Sequence, residues 1–295
     1  MAINILITGG TGFLGSYLIH SLLQNNYQVI LVKRSTSNTW RINDIIDKIK
    51  CYDLDKSNID IVFKEQHIDI VIHTACCYGR NYETMSQIVD TNIVFGIKLF
   101  ESAVLFNTVT FINTDTLLQK HLNSYSLSKY QFVEWLKRGT GKIKIVNMKL
   151  EYMYGPNDDT TKFVPWVIEQ LRQNKDRINL TKGKQRRDFV YITDVVSAYI
   201  KVLERINLLP QFVEFDVGTG KPITVYQFVS EVEKKYKTIY TENKTKLCWG
   251  IIPYRKGEMM KVSVNVNPLK AIGWKPEYSY QEGINNIISF PSLCL

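Results

Sequence analysis

A chain of 295 residues lies near the upper end of what one soluble domain holds, about 250 to 300, and so allows one large domain or a domain and a half. With 45% hydrophobic and 22% charged residues, 16 Gly and 8 Pro, it can bury a sizeable core, which excludes disordered and collagen-like chains. The 37 basic residues exceed the 28 acidic ones, giving +9, which suits an anionic small ligand or a nucleic acid without selecting either, and which ordinary solubility also explains.

Ile3 to Thr8 is a short β-branched run ending in glycines, and Phe13 to Asn25 then places apolar residues at helical spacing. Further strands are predicted at Gln28 to Val32, more weakly at Ile49 to Tyr52, then at Asp69 to Ala75, Thr108 to Asn113 and Ile143 to Leu150. Asp90 to Phe106 and Ser126 to Lys137 carry helical periodicity between the later strands. Such alternation predicts an α/β fold with a doubly wound parallel sheet of Rossmann type, covered on both faces. Beyond Gly155-Pro156 the alternation breaks down: Phe163 to Gln173 reads as a helix, Arg187 to Glu204 as a short strand then a helix, and Phe212 to Val217 as a buried strand. Residues 1–155, with 188–217 returning to them, are expected to form the dinucleotide-binding unit; 156–187 and 218–295 are expected to form a smaller substrate-binding lobe. The longest apolar run, Ile68 to Cys77, contains Asp69 and His73 and is about half the roughly twenty residues of a membrane span. The N-terminus lacks the pattern of a signal peptide and reads as a strand. Five cysteines, at 51, 76, 77, 248 and 294, have no disulfide or metal-knuckle spacing, so a reducing cytoplasm is the expected setting. The four histidines, at 20, 67, 73 and 121, are too dispersed to suggest a metal site or a nucleophilic triad.

The segment Thr8-Gly9-Gly10-Thr11-Gly12-Phe13-Leu14-Gly15 has glycines three apart between the first strand and the first helix. Glycine permits the tight turn and close approach of the backbone to a pyrophosphate, while the helix N-terminus offers free N–H groups. Gly9, Thr11, Gly12, Phe13 and Leu14 are the expected contacts. The second strand ends in Lys33-Arg34-Ser35, two cations and a hydroxyl where an acidic side chain would hold the adenosine ribose. A guanidinium can grip a 2′-phosphate, which favours NADP(H) over NAD(H), although solvated loop charges are the plainer alternative. Asp53-Leu54 is either an adenine flank or a surface turn. Thr74, Ala75 and Cys76, where the fourth strand ends, are expected beside the cofactor.

Tyr125 and Lys129 are four apart at the start of a helix, so both point from one face. A neighbouring ammonium favours the phenolate and is expected to lower the tyrosine pKa towards working pH. The pair alone is common in helices; after a glycine-rich loop it is informative. Thr114 and Thr116 lie at the carboxyl end of the preceding strand, where an open parallel sheet binds ligands, and either hydroxyl can polarise a substrate oxygen. Thr114 is the favoured one.

These segments together resemble the extended short-chain dehydrogenase/reductase family from Ile5 to about Pro276. The resemblance rests on the glycine loop, Asp53-Leu54, Asn92, Thr114, Tyr125 with Lys129, and Tyr154-Gly155-Pro156. Gln185-Arg186-Arg187-Asp188-Phe189, Arg255-Lys256-Gly257-Glu258 and Ile272-Gly273-Trp274 complete it. Within the family, Ala75-Cys76-Cys77-Tyr78-Gly79-Arg80 and the run Leu180 to Phe189 look most like 4-keto reductases that make CDP-paratose or CDP-abequose.

The resemblance implies a nucleoside-diphosphate sugar as substrate and Thr114, Tyr125 and Lys129 as the catalytic set, with NADPH, read from Lys33 and Arg34, as cofactor. It implies that Arg187 and Arg255 hold the diphosphate, that Tyr78 and Arg80 lie near the sugar, and that Asp115 and Thr116 also face the substrate. Dehydratases of the family have Thr-Asp-Glu where this chain has Thr114-Asp115-Thr116, so the acid-base glutamate of dehydration is missing. Net reduction of a C4 ketone in deoxysugar synthesis for a surface polysaccharide is therefore expected, with a 4-epimerase using tightly bound NAD as the alternative and a non-catalytic NADP- or RNA-binding protein as a remote one. No nucleic-acid or membrane partner is expected, and analogy to the family suggests a homodimer.

Overall fold

The computed structural model describes residues 3–290; Met1, Ala2 and residues 291–295, with Cys294 among them, lie outside the described residues. In the first half, strands and helices alternate as β1 (Asn4–Thr8), α1 (Phe13–Gln24), β2 (Gln28–Lys33), β3 (Lys50–Asp53), α2 (Ile59–Glu65), β4 (Ile70–His73), α3 (Met85–Val89), α4 (Phe95–Leu105), β5 (Thr110–Thr116), α5 (Ser124–Arg138) and β6 (Lys144–Leu150). There follow β7 (Tyr152–Tyr154), α6 (Phe163–Arg172), β8 (Arg177–Asn179), β9 (Arg186–Arg187), β10 (Phe189–Tyr191), α7 (Ile192–Arg205), β11 (Phe212–Val217), β12 (Ile223–Thr224), α8 (Val225–Ile239), β13 (Lys246–Cys248), α9 (Asn267–Ala271) and α10 (Tyr280–Ser289).

Seven strands form one parallel sheet in the order β11-β6-β5-β4-β1-β2-β3. Consecutive residues of β1 point to opposite faces, so Ile5 and Ile7 join the core beneath α1 and α7 while Leu6 joins the core beneath α2, α4 and α5. Both faces are apolar because both are covered, as a parallel sheet requires. The order reverses between β1 and β4, and the loops after these two strands diverge to open a crevice at their carboxyl ends. The remaining short strands pair outside this sheet, β7 with β10, β9 with β12 and β8 with β13.

One row of the sheet is polar. Thr8, His73, Asn113, Asn147 and Glu214 are in-register neighbours on β1, β4, β5, β6 and β11, all on the α4/α5 face. The first four are almost fully buried. Thr8 Oγ1 lies 2.8 Å from His73 Nδ1, Asn113 Nδ2 donates to Asn147 Oδ1 at 2.7 Å, and Asn147 Nδ2 donates to Glu214 Oε1 at 2.9 Å. Burial pushes the His73 imidazole down to about 3, so it stays neutral.

Two elements differ from the sequence reading in ways that matter for the site. Strand β5 runs on through Thr116, because β6 pairs with it residue by residue as far as Thr116↔Leu150. The helix predicted from Asp90 opens as a π turn, Asp90–Val94, between α3 and α4. Such turns are frequent at functional sites.

Candidate active site

The glycine loop closes with Gly12 N–H donating to Gly9 O at 2.9 Å, and α1 starts directly behind it. Gly9 has φ +67°, and a Cβ there would lie 2.6 Å from Ala75 N; a Cβ on Gly15 would lie 2.2 Å from Gly9 O. Only glycine fits either position. Gly12 caps α1 without a side-chain bond, which leaves the first-turn N–H groups to face the crevice. Gly9, Thr11, Gly12, Phe13 and Leu14 line that crevice, as do Thr74, Ala75 and Cys76 from the loop after β4. Thr74 Oγ1 donates to Thr8 O at 2.7 Å, tying the two loops together.

At the end of β2, Lys33 and Arg34 line the same crevice, joined by Ser37 and Arg41. Ser35 does not: its hydroxyl donates to Asp53 Oδ2 at 2.6 Å, and this bond holds the half-buried Asp53 carboxyl below its ordinary range. Leu54 and Asp55, rather than Asp53, form the wall. The structure thus brings two of the three residues at the end of β2 to the crevice and uses Ser35 and Asp53 to brace each other.

Tyr125 and Lys129 sit in the first turns of α5, whose Asn123 N-cap and Ser126 form a capping box. Both side chains line the crevice, Tyr125 half-buried and Lys129 only 2% exposed. The Lys129 ammonium makes no hydrogen bond or ion pair with the described residues; Asp115 and Cys76 are its polar neighbours, and burial lowers its pKa against their pull. The expected depression of the tyrosine is not found. Burial, followed by the negative potentials of Cys76 and Asp115, raises the Tyr125 phenol well above its ordinary value, with Arg80 opposing them. The phenol's own loss of water decides the direction, and the ammonium four residues along the helix is not among the groups that move it. Asn92 of the π turn braces this arrangement: its amide accepts from Cys77 N–H at 2.6 Å and donates to Cys77 O and to Ser128 Oγ, both at 2.9 Å. Ser128 in turn donates to Tyr125 O at 2.8 Å.

Thr114 reaches the crevice from β5 with its hydroxyl 2.7 Å from the phenol oxygen of Tyr199, a fully buried residue of α7. Asp115 accepts from Asn147 Nδ2 at 3.0 Å and is raised by burial. Thr116 also lines the crevice, but its hydroxyl accepts from Leu118 N–H at 3.2 Å. Tyr78 packs on Tyr125 with ring centroids 4.9 Å apart, and the Arg80 guanidinium lies 4.9 Å above the Tyr78 ring. Lys162, unforeseen from the sequence, approaches Tyr78 and Phe13 at 5.7 and 5.1 Å and pairs with Asp158 at 2.7 Å.

Arg187 and Arg255 face the crevice from β9 and from the segment after β13. Arg255 is exposed, whereas Arg187 is 5% exposed and already engaged: it pairs with Glu258 and donates to Met259 O at 2.5 Å and Arg186 O at 2.8 Å. One buried acid carries no signal in the sequence. Glu151, just past β6, lines the crevice at 8% exposure, and burial raises its carboxyl to about 7, with Asp188 adding to the shift and Arg187 opposing it.

The whole crevice has a volume of about 1380 Å³, above the roughly 300 to 1,000 Å³ of a site for one drug-sized ligand, and so takes two ligands end to end. A backbone cradle that excludes any Cβ, uncapped helix amides and a buried ammonium without a partner among the described residues fit a dinucleotide. Among the described residues no group of His, Cys, Asp and Glu is arranged to hold a metal ion, and no helix is long and apolar enough to cross a membrane.

Among known proteins, the chain is 32% identical to CDP-abequose synthase of Salmonella muenchen over 97% of both chains, and 29% identical to that of Salmonella typhimurium over 96% of this chain and 97% of that protein. In fold it is similar to Thermotoga maritima UDP-glucose 4-epimerase, solved with UDP-glucose (TM-score 0.84, 23% identity, 97% of both chains). It is also similar to the Thermus thermophilus UDP-glucose 4-epimerase solved with NAD (TM-score 0.81, 21% identity, 97% of this chain and 98% of that one). Residues 5–218 match the model of the NAD dependent epimerase/dehydratase family, and with a near-full-length relative at 32% identity the chain belongs to that family.

Proposed function

We propose that this protein uses NADPH to reduce the C4 ketone of a nucleoside-diphosphate sugar, CDP-linked and 6-deoxy or 3,6-dideoxy, in the reducing cytoplasm. The observation that carries the reading is the convergence of Thr114, Tyr125 and Lys129 on the crevice that holds the phosphate cradle. The CDP-abequose synthase relatives support the substrate class. In this reading the elements outside the main sheet form the substrate lobe, with Arg255 and Arg187 at the diphosphate and Tyr78, Arg80, Asp115 and Thr116 at the sugar.

A nicotinamide nucleotide in the cradle supplies the hydride; Gly9, Thr11, Gly12, Phe13 and Leu14 hold its pyrophosphate, and Lys33 and Arg34 its adenosine end. Lys129 holds the ribose hydroxyls with the ammonium the protein leaves unpaired. Thr114 donates to the ketone oxygen, its hydroxyl aimed by Tyr199. Tyr125 then gives its proton to the oxygen as negative charge develops there. The raised phenol suits this direction, since reduction needs a protonated tyrosine, whereas oxidation of a hydroxyl needs the phenolate.

The likeness to solved 4-epimerases favours a second reading, transient oxidation and re-reduction of one carbon on tightly bound NAD. Mixing the protein with NADPH and CDP-, dTDP-, GDP- and UDP-linked 4-keto sugars and following the loss of NADPH absorbance separates the two. Reduction consumes NADPH in equal amount to product; an epimerase consumes none, and that outcome ends the reductase reading.

A further inference from the structure

The net charge of +9 is unevenly spread along the chain. Residues 156–187 and 218–295 hold 19 Lys and Arg against 10 Asp and Glu, and the remaining residues hold 18 of each. Charge that serves solubility alone has no reason to collect in this way, since like charges side by side repel. Two adjoining segments, 182–187 and 255–261, carry seven cations and one carboxylate, Glu258. Arg186 N–H donates to Met260 O at 2.9 Å and Arg187 pairs with Glu258, which fixes the two segments side by side. Exposure alternates along the first: Lys182, Lys184 and Arg186 are exposed, while Gly183, Gln185 and Arg187 are buried. Arg255, Lys256 and Lys261 of the second are exposed too, and these six cations pair with no carboxylate among the described residues.

The two faces of this strip have different neighbours. Gln185 and Arg187 line the crevice, as does Arg255, whereas Lys182, Lys184, Arg186, Lys256 and Lys261 stand outside its lining. A ligand in the crevice therefore does not touch those five, but it lies against the wall that they back or border. At an ionic strength of about 0.1 M the field of a charge extends about 10 Å, enough to cross one layer of chain, and a cleft with low-dielectric walls focuses it.

We propose that these five cations form an electrostatic guide that speeds the arrival of the nucleoside-diphosphate sugar at the crevice without touching it once bound. This rests on the reading of the crevice as a nucleotide-sugar site, with the diphosphate at Arg187 and Arg255. A small anion is the partner that fits, because the strip that bears the cations is itself the crevice wall and whatever it attracts is delivered to the opening. Arg255, exposed and in the lining, stands where the guide ends and the site begins. The other part of the chain, with charges of each sign in equal number, has no net charge to draw the anion elsewhere.

For the test, CDP-glucose, UDP-glucose and dTDP-glucose are ranked by calorimetry. Arrival of the tightest is then followed by stopped flow through the fluorescence of Trp166 and Trp249, which line the crevice. The wild-type association rate constant is expected to fall about tenfold from about 10 to about 300 mM NaCl. The triple variant Lys182→Glu/Lys184→Glu/Lys256→Glu, compared with wild type at the same salt, is expected to associate about tenfold more slowly at about 10 mM and within about twofold at about 300 mM. Its dissociation rate constant stays within about twofold of wild type at both, since a charge outside the contact acts on encounter. Replacing the same three lysines by Gln, half the change in charge, slows association about threefold at low salt and carries the test should the Glu variant misfold. Lys48→Glu/Lys64→Glu/Lys142→Glu makes the full change on exposed residues ahead of β3, β4 and β6, at the sheet edge opposite the crevice, and stays within about twofold throughout. Association that ignores salt, an effect of the first variant on dissociation alone, or equal slowing by the distal variant overturns the proposal. A wild-type protein that binds none of the three ligands refutes the nucleotide-sugar reading and the guide with it, a result distinct from those on the variants.

Discussion

The Glu151 carboxyl has a consequence for stability that a single substitution isolates. Its pKa moves from 4.5 to about 7 on folding, so between those values the folded chain holds a proton that the unfolded chain has released. Stability linked to this group is fully present below about pH 4.5 and is lost as pH rises through 7. The rise from 4.5 to about 7, at about 1.36 kcal/mol per pH unit, corresponds to about 3.4 kcal/mol. Glu151→Gln removes the titration and keeps the shape, and other groups titrate alike in both proteins. The variant should therefore match wild type near about pH 4.5 and exceed it by about 3.4 kcal/mol at about pH 8. An unfolding entropy of about 0.6 kcal/mol per kelvin for a chain of this size converts that into a Tm gap of about 6 °C. Differential scanning calorimetry of the two proteins at a series of pH values reads the gap directly. A gap that is constant with pH, or that opens towards acid, would refute the assignment of a buried, protonated carboxyl.

Arg34→Ala should raise the KM for NADPH about tenfold or more while leaving that for NADH within about twofold, as steady-state kinetics with each cofactor will show; equal effects defeat the 2′-phosphate argument. Tyr199→Phe deletes the bond to the Thr114 hydroxyl and is expected to lower kcat about tenfold with KM little changed, because the loss is felt where the carbonyl oxygen gains charge. In Gly15→Ala the new methyl would lie 2.2 Å from Gly9 O, and the cradle cannot yield without moving backbone. Fluorescence titration with NADPH should show binding lost or weakened at least about a hundredfold, and near-normal binding would mean the loop is not the phosphate site.

What the sequence discloses depends on whether the signal is local. The strand, the glycine loop and the helix behind it are contiguous, and the Tyr125–Lys129 spacing maps onto one helix face without knowledge of anything distant. Glu151 is illegible there because a single acid after a strand looks like a solvated turn residue; only the packing of β9, β10 and β11 around it creates its burial. Ser35 and Asp53 read as ligand contacts because each ends a strand near the crevice, yet their mutual bond depends on the pairing of β2 with β3. The extension of β5 through Asn113-Thr114-Asp115-Thr116 goes against the weak strand propensity of Asn and Asp; pairing with β6 overrides it. The tyrosine pKa comes out reversed for a related reason, since spacing places the ammonium but says nothing about how much water both groups lose.

The polar row across the sheet ties β6 to β11, a strand that is made much later in synthesis. Asn147 finds one of its acceptors on Glu214, 67 residues later, and until that segment emerges from the ribosome β6 presents a bare edge beside a buried amide with an empty bond. A polypeptide stopped near residue 160 would carry every element of the phosphate cradle and still be a poor candidate for independent folding, prone instead to pair its open strand with another copy. Half-length fragments of this protein are thus expected in inclusion bodies, and the cofactor site matures only after translation has passed Val217.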